Sequence, residues 1–212
     1  MKLIFFTLLA MVLLAGCSSN PPASQENPGD KTAPKPGADA NKAETGRVAF
    51  QKMYVAARGW AREAMPVGLE STPTKDFPGK DGKAGVWRGT FGSASRQAMK
   101  PFVWSGINAE DAPTPGINPG SEDSFNANNT STRPFDFNYL KIDSDKAYEI
   151  ALAHGGKEFL GKNKDAAIRY TLRFDGRSSQ LRWIVNMEST SAKARPLTVI
   201  LDASSGEFLR KG

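Results

Sequence analysis

The chain has one cysteine and one histidine among 212 residues. A lone cysteine, Cys17, permits no internal disulfide, so the fold must rest on its apolar core even in an oxidising compartment. One histidine and one cysteine cannot build the usual zinc sites. A Ser-His-Asp arrangement needs a positioned base. His154 is the sole imidazole, and no serine sits in a strand-turn-helix elbow to meet it. Before Gly155-Gly156, His154 reads instead as a helix C-terminal residue, where its cation favours the helix dipole. Glycine patterns that cradle phosphate are absent, and no cofactor is expected. Dense carboxylates occur only at Asp143-Ser144-Asp145 and at Glu110-Asp111 with Glu122-Asp123. The first is better read as a helix cap than as a calcium site, and the second as solvated. A glycosidase-like carboxylate pair has no supporting motif. Acidic residues number 22 against 28 Lys and Arg. This mild basic balance suits plain solubility, or contact with anionic headgroups, lipopolysaccharide phosphates or acidic partners. After residue 14 no apolar run is long enough to cross a membrane.

What the chain does have begins at its first residues. Lys2 supplies a positive charge, residues 3–14 are apolar except Thr7, and Leu14-Ala15-Gly16-Cys17 places small residues before the cysteine. The run is shorter than the roughly 20 residues of a spanning helix and matches a signal h-region. The pattern resembles a bacterial lipoprotein signal. It implies cleavage before Cys17 and acylation of that residue, anchoring the chain to a membrane; two or more acyl chains anchor stably. By the same resemblance, Ser18 in place of aspartate implies the outer membrane, facing the periplasm. That compartment excludes nucleic acid as a partner. An ordinary secretory signal that happens to contain a cysteine is the alternative. Loss of Lys2 with the signal lowers the net charge from +6 to +5.

Residues 17–40 are rich in Pro, Ser, Ala, Gly and Asn. They cannot bury enough apolar surface to offset the cost of ordering. As a flexible tether they reach roughly 25–30 Å. The remaining residues, about 170, suit one medium domain or two small ones, and four tryptophans and twelve phenylalanines can supply the core.

Residues 41–106 read as a first α+β unit. Asn41 and Glu44 form a capping box ahead of a helix whose Phe50, Met53, Ala57, Trp60 and Ala64 share one face, with Pro66 as its stop. Residues 69–85 read as a loop. Residues 86–91 alternate, with Trp87 and Phe91 on one face. Residues 97–105 return, and Pro101 there argues for an edge strand or a bulge. Residues 107–138 carry four prolines among Gly, Asn and Ser. They read as a linker between halves or a long excursion from a sheet edge, in which an exposed aromatic such as Phe125 would be free to touch a partner. From 139 the signals are clearer. Asp143-Ser144-Asp145 caps a helix to about Ala153, ended by Gly155-Gly156. Ile168, Tyr170, Leu172 and Phe174 alternate with Arg169, Thr171 and Arg173. Strands follow at 181–187, 197–201 and 207–209.

The last third resembles a PepSY-type domain. The likeness rests on Ile142-Asp143-Ser144-Asp145-Lys146-Ala147, on Trp183-Ile184-Val185, and on the run from Thr198 through Asp202-Ala203-Ser204-Ser205-Gly206 to Leu209. It implies a small α+β fold with a helix on an antiparallel sheet. It also implies a role in binding or inhibiting peptidases, with no shared catalytic residues. Both halves show a helix and then antiparallel strands, so two tandem PepSY/cystatin-like units are expected, at 41–106 and 139–212. The function expected is therefore non-catalytic binding of an envelope protein, peptide or peptidase. Arg169, Arg173 and Arg182 on the strands are the candidate contacts, because guanidinium groups grip carboxylates or phosphates bidentately; a solvated sheet face explains them equally. The competing expectation is a structural envelope component that binds lipopolysaccharide or peptidoglycan.

Overall fold

The computed structural model describes residues 41–191 and 194–212. Cys17, the apolar run and the tether at 17–40 lie outside the described residues, within which no helix is long and apolar enough to cross a membrane. The fold is α+β, with helices laid on one face of a large antiparallel sheet. In chain order the first half runs β1 (Glu44–Thr45), α1 (Gly46–Trp60), β2 (Met65–Thr72), β3 (Lys83–Ala84), β4 (Val86–Ser93), β5 (Ala98–Ser105), β6 (Gly116–Pro119) and β7 (Asp123–Ser124). The second half runs α2 (Ser144–Ala151), a π-turn (Leu152–Gly156), α3 (Lys157–Lys162), β8 (Ala167–Asp175), β9 (Gln180–Glu188), β10 (Leu197–Asp202) and β11 (Phe208–Lys211). The sheet order is β11-β10-β9-β8-β2-β4-β5-β6, with β7 also on β5, while β1 and β3 form a separate small ladder.

The seam between halves is the antiparallel pair β2–β8, centred on Leu69 opposite Leu172. On each side of it the chain makes a helix and then an antiparallel meander running outward. Several bonds recur in both halves. Trp87 Nε1–H donates to the Glu44 carbonyl at 2.9 Å, and Trp183 Nε1–H to the Ile142 carbonyl at 2.8 Å. The Gly106 carbonyl accepts from the N–H groups of Asn41 and Lys42, and the Ala203 carbonyl from those of Lys141 and Ile142. Gly106 and Ala203 in turn donate to Gly85 and Leu181.

Strand alternation sends Trp87, Phe91, Phe102, Trp104, Leu69, Tyr170, Leu172, Trp183 and Val185 to the helix side, where they form one core continuous across the seam. The rings of Trp87, Tyr170 and Trp183 meet there, with centroids 6.1–6.5 Å apart.

Several expectations are corrected. α1 begins at Gly46 rather than after an Asn41 cap, and its N-cap residue Thr45 makes no side-chain cap bond. The cap comes from 98 residues away: Ser144 Oγ accepts the Gly46 N–H at 2.7 Å, and Asp143 Oδ1 accepts the Arg47 N–H at 2.8 Å. Glu44 is left to pair with Lys52 at 2.7 Å. α1 ends at Trp60, before Pro66, which is the second residue of β2. Of the segment read as a loop over 69–85, residues 69–72 complete β2, a central strand, and Lys83–Ala84 form β3, while 73–82 contain no strand. A bulge between Pro66 and Gly68 breaks its alternation. Pro101 lies in β5, paired on both sides. Its carbonyl accepts from Gly120, so its missing N–H faces the place where the ladder lapses between β6 and β7. The second helix stops where the glycine pair is expected to end it: His154 and Gly155 leave the helical conformation, and Gly155, at φ +109°, turns the chain into α3. His154 stacks on Phe208 there at 3.7 Å.

Residues 107–138 form an excursion along the β5 edge, and then pass Phe135 and Phe137 beneath α1 beside Phe50. Phe125 is buried over Gly92 and does not offer itself to a partner.

Candidate functional site

The helices cover one face of the sheet, and the alternate residues of β2, β4, β5 and β8 line the other. There a groove of about 720 Å³ opens, floored by Gly68, Glu70, Arg88, Thr90, Thr171 and Arg173 and edged by Met99 and Val103. Its wall is the turn at 120–123. This volume falls in the range of ligand sites, about 300–1,000 Å³.

Register fixes the floor. Glu70 lies between Thr171 and Arg88, and Arg88 beside Val103. One step along, Arg173 lies between Arg182 and Gly68, and Thr90 between Gly68 and Pro101. All three arginines expected from the sequence therefore share this face, but they are not equivalent. Arg182 is engaged in the β8–β9 turn by the Asp175 carboxylate, by Ser178 Oγ at 2.8 Å and by Gln180 Oε1 at 3.0 Å. The Asp175 carboxyl is held below its usual range by the Arg177 backbone N–H first and by Arg182 next. Arg169 is paired with Glu70 at 3.1 Å. Arg173 has no carboxylate partner among the described residues, and neither does Arg88. Arg88 is a groove residue that the sequence reading did not single out. The signal was present, since the alternation that sends Trp87 and Phe91 inward sends Arg88 and Thr90 outward. The strands of Arg88 and Arg173 flank β2, so the two backbones lie about 10 Å apart across the sheet. Two carboxylates of one extended ligand suit that separation.

The wall is fixed by Glu122. Its carboxylate accepts the Trp60 indole N–H at 2.8 Å and pairs with Arg96 at 3.5 Å and Lys100 at 3.6 Å. The indole bond, then the two cations, hold that carboxyl below its ordinary range. Both cations also lie over the Trp60 ring. Trp60, half-buried at the end of α1, therefore packs against the core from the helix stripe and also clasps the wall. Asp123 turns its carboxylate to the Ser124 N–H at 2.7 Å.

Of the carboxylates weighed as calcium ligands, Glu110 and Asp111 are exposed to solvent, and Asp143, Asp145, Glu122 and Asp123 have other partners. Asp143 caps α2 and α1, and Asp145 Oδ1 accepts the Lys146 N–H at 2.6 Å. No group of three or more His, Cys, Asp or Glu among the described residues is placed to hold a metal ion. Chemically the groove offers two guanidinium groups, threonine hydroxyls and a short apolar edge, and the carboxylates in its lining, Glu70, Glu122 and Asp123, are engaged within the chain, so its free charge suits carboxylates. Compared with protein-family models, curated proteins and solved structures, the chain matches none of them.

Proposed function

We propose that this protein is a lipid-anchored component of the cell envelope, held through Cys17, that binds an extended acidic segment of a partner protein or peptide without catalysing a reaction. The groove on the open sheet face is the binding site, and Arg88 and Arg173 are its anchors. One observation carries this reading: two guanidinium groups, unpaired among the described residues, line a walled groove while the neighbouring Arg169 and Arg182 are neutralised by carboxylates of the chain itself. Charge-assisted bidentate bonds to carboxylate are roughly twice as strong as neutral ones. The rigid sheet holds the two donors at a fixed spacing, so little ordering cost falls on the protein.

The recurring helix-and-meander order, with the matched Trp87 and Trp183 bonds, supports two tandem PepSY/cystatin-like units joined at β2–β8. The PepSY likeness of 139–212 rests on its residues, and a peptidase is one partner that the likeness brings forward.

Panning a random peptide library on the protein tests the reading. Enrichment of sequences bearing two or more Asp or Glu is expected. It should be lost in Arg88→Glu/Arg173→Glu, which should instead enrich basic sequences. Equal enrichment on both proteins would refute the site.

A further inference from the structure

A second surface stands apart from the groove, on the far side of the molecule. α1 carries no acidic residue along Gly46–Trp60. Its exposed side holds Arg47, Lys52 and Arg58, and Arg62 follows one residue beyond the C-cap. Lys52 is paired with Glu44, and Arg58 lies over the Tyr54 ring. Arg47, Arg58 and Arg62 have no carboxylate partner among the described residues. The nearby acids are occupied: Asp143 with the Arg47 backbone N–H, and Glu63 with Ser93 and Ser95. Between the cations stand Val48, 43 % exposed, and Val55, 71 % exposed. They are seven residues apart and so lie on one stripe of the helix. An apolar stripe flanked by cations is the pattern of a helix lying at a lipid–water interface.

Where the chain comes from chooses the occupant. Residues 17–40 lead directly into the segment ahead of α1, so an anchor at Cys17 delivers α1 to the bilayer first. Only the 24 residues 17–40 separate the anchor from residue 41, so an anchored chain keeps the local lipid concentration high and turns a weak contact into an intramolecular one.

We propose that the outward face of α1, through Val48, Val55, Arg47, Arg58 and Arg62, seats on an anionic phospholipid surface. The contact sets orientation rather than attachment. Because α1 covers the sheet face opposite the groove, seating it turns the groove toward the periplasm. This rests on the lipid-anchor reading and is independent of what the groove binds.

The test uses the full anchored chain carrying Val55→Cys, with an environment-sensitive fluorophore on the introduced thiol, in vesicles of phosphatidylcholine with and without phosphatidylglycerol. A second protein carries Lys164→Cys, an exposed site on the other half of the molecule. The label at 55 should shift to the blue and lose access to an aqueous quencher on anionic vesicles only, and recover at high salt. The label at 164 should stay wet throughout. Removing three cations, in Arg47→Gln/Arg58→Gln/Arg62→Gln, should lower the ratio of seated to unseated protein on the order of a hundredfold. A label at 55 equally quenched on both vesicles, or both labels protected alike, overturns the proposal. Labelling stoichiometry separates this from failure of the anchor: an acylated Cys17 leaves one reactive thiol, whereas two labels per chain would overturn the anchor and the orientation built on it.

Discussion

Ser144→Ala is expected to destabilise the whole domain, although the side chain lost is one hydroxyl. In the native structure Ser144 Oγ accepts the Gly46 N–H at 2.7 Å and donates to the Gly82 carbonyl at 2.5 Å, both in buried surroundings. Alanine leaves a buried donor and a buried acceptor unmatched, each at about 1–3 kcal/mol. The expected loss is about 4 kcal/mol, within a range of about 2–6. In a domain of this size that lowers Tm by about 8–16 °C. The bonds tie the first turn of α1 to the first turn of α2, but the core is continuous across the β2–β8 seam, so the two halves should still unfold together without them. Urea titrations followed by tryptophan fluorescence and by far-UV circular dichroism should coincide and shift together. A loss below about 1 kcal/mol would refute the account of how α1 is capped. Transitions that separate in the variant would refute the single shared core.

Three further outcomes follow from the same geometry. Trp87→Phe and Trp183→Phe each remove an indole bond and open a void at matched places; each should cost about 2–4 kcal/mol in urea titrations, and losses differing by much more than about 1 kcal/mol would count against two equivalent units. Gly82 has φ +70°, and a Cβ there would overlap the Asp145 backbone, so Gly82→Ala should leave little folded protein at 37 °C by circular dichroism, where Gly59→Ala, with open space around it, should be tolerated. The Glu63 carboxyl is held at about 2, against 4.5, by the hydroxyl of Ser93 first and then of Ser95. A depressed folded value contributes stability that is present above pH 4.5 and lost as pH falls toward 2; Glu63→Gln should lower stability at neutral pH and flatten the curve in that window, so that variant and parent converge near pH 2.

The sequence was most readable where one strand face is buried and the other is not. Ile168, Tyr170 and Leu172 alternate with Arg169, Thr171 and Arg173, and β8 lies where that pattern says. β2 was hidden because Pro66, Gly68 and the bulge between them break the period, although the strand sits at the centre of the sheet. With β2 unseen, Glu70 could not be placed, and so the neutralisation of Arg169 was invisible. The start of α1 was misplaced because a local rule, the Asn41–Glu44 box, competes with caps supplied by Asp143 and Ser144, which only the tertiary fold brings near. Arg88 needed no tertiary knowledge, only attention to the outward positions between Trp87 and Phe91. The groove itself exists because the turn at 120–123 is drawn to Trp60, Arg96 and Lys100, three contacts with no signature in sequence.

The most direct test of the binding role is a backbone amide chemical-shift titration of the protein with an acidic peptide recovered by panning. Shifts should cluster at 68–70, 88–90, 99–103 and 171–173, weaken with salt, and vanish in Arg88→Glu/Arg173→Glu while the rest of the spectrum is preserved. Shifts confined to the helix face, or a titration unchanged by the double substitution, would contradict the groove as the site.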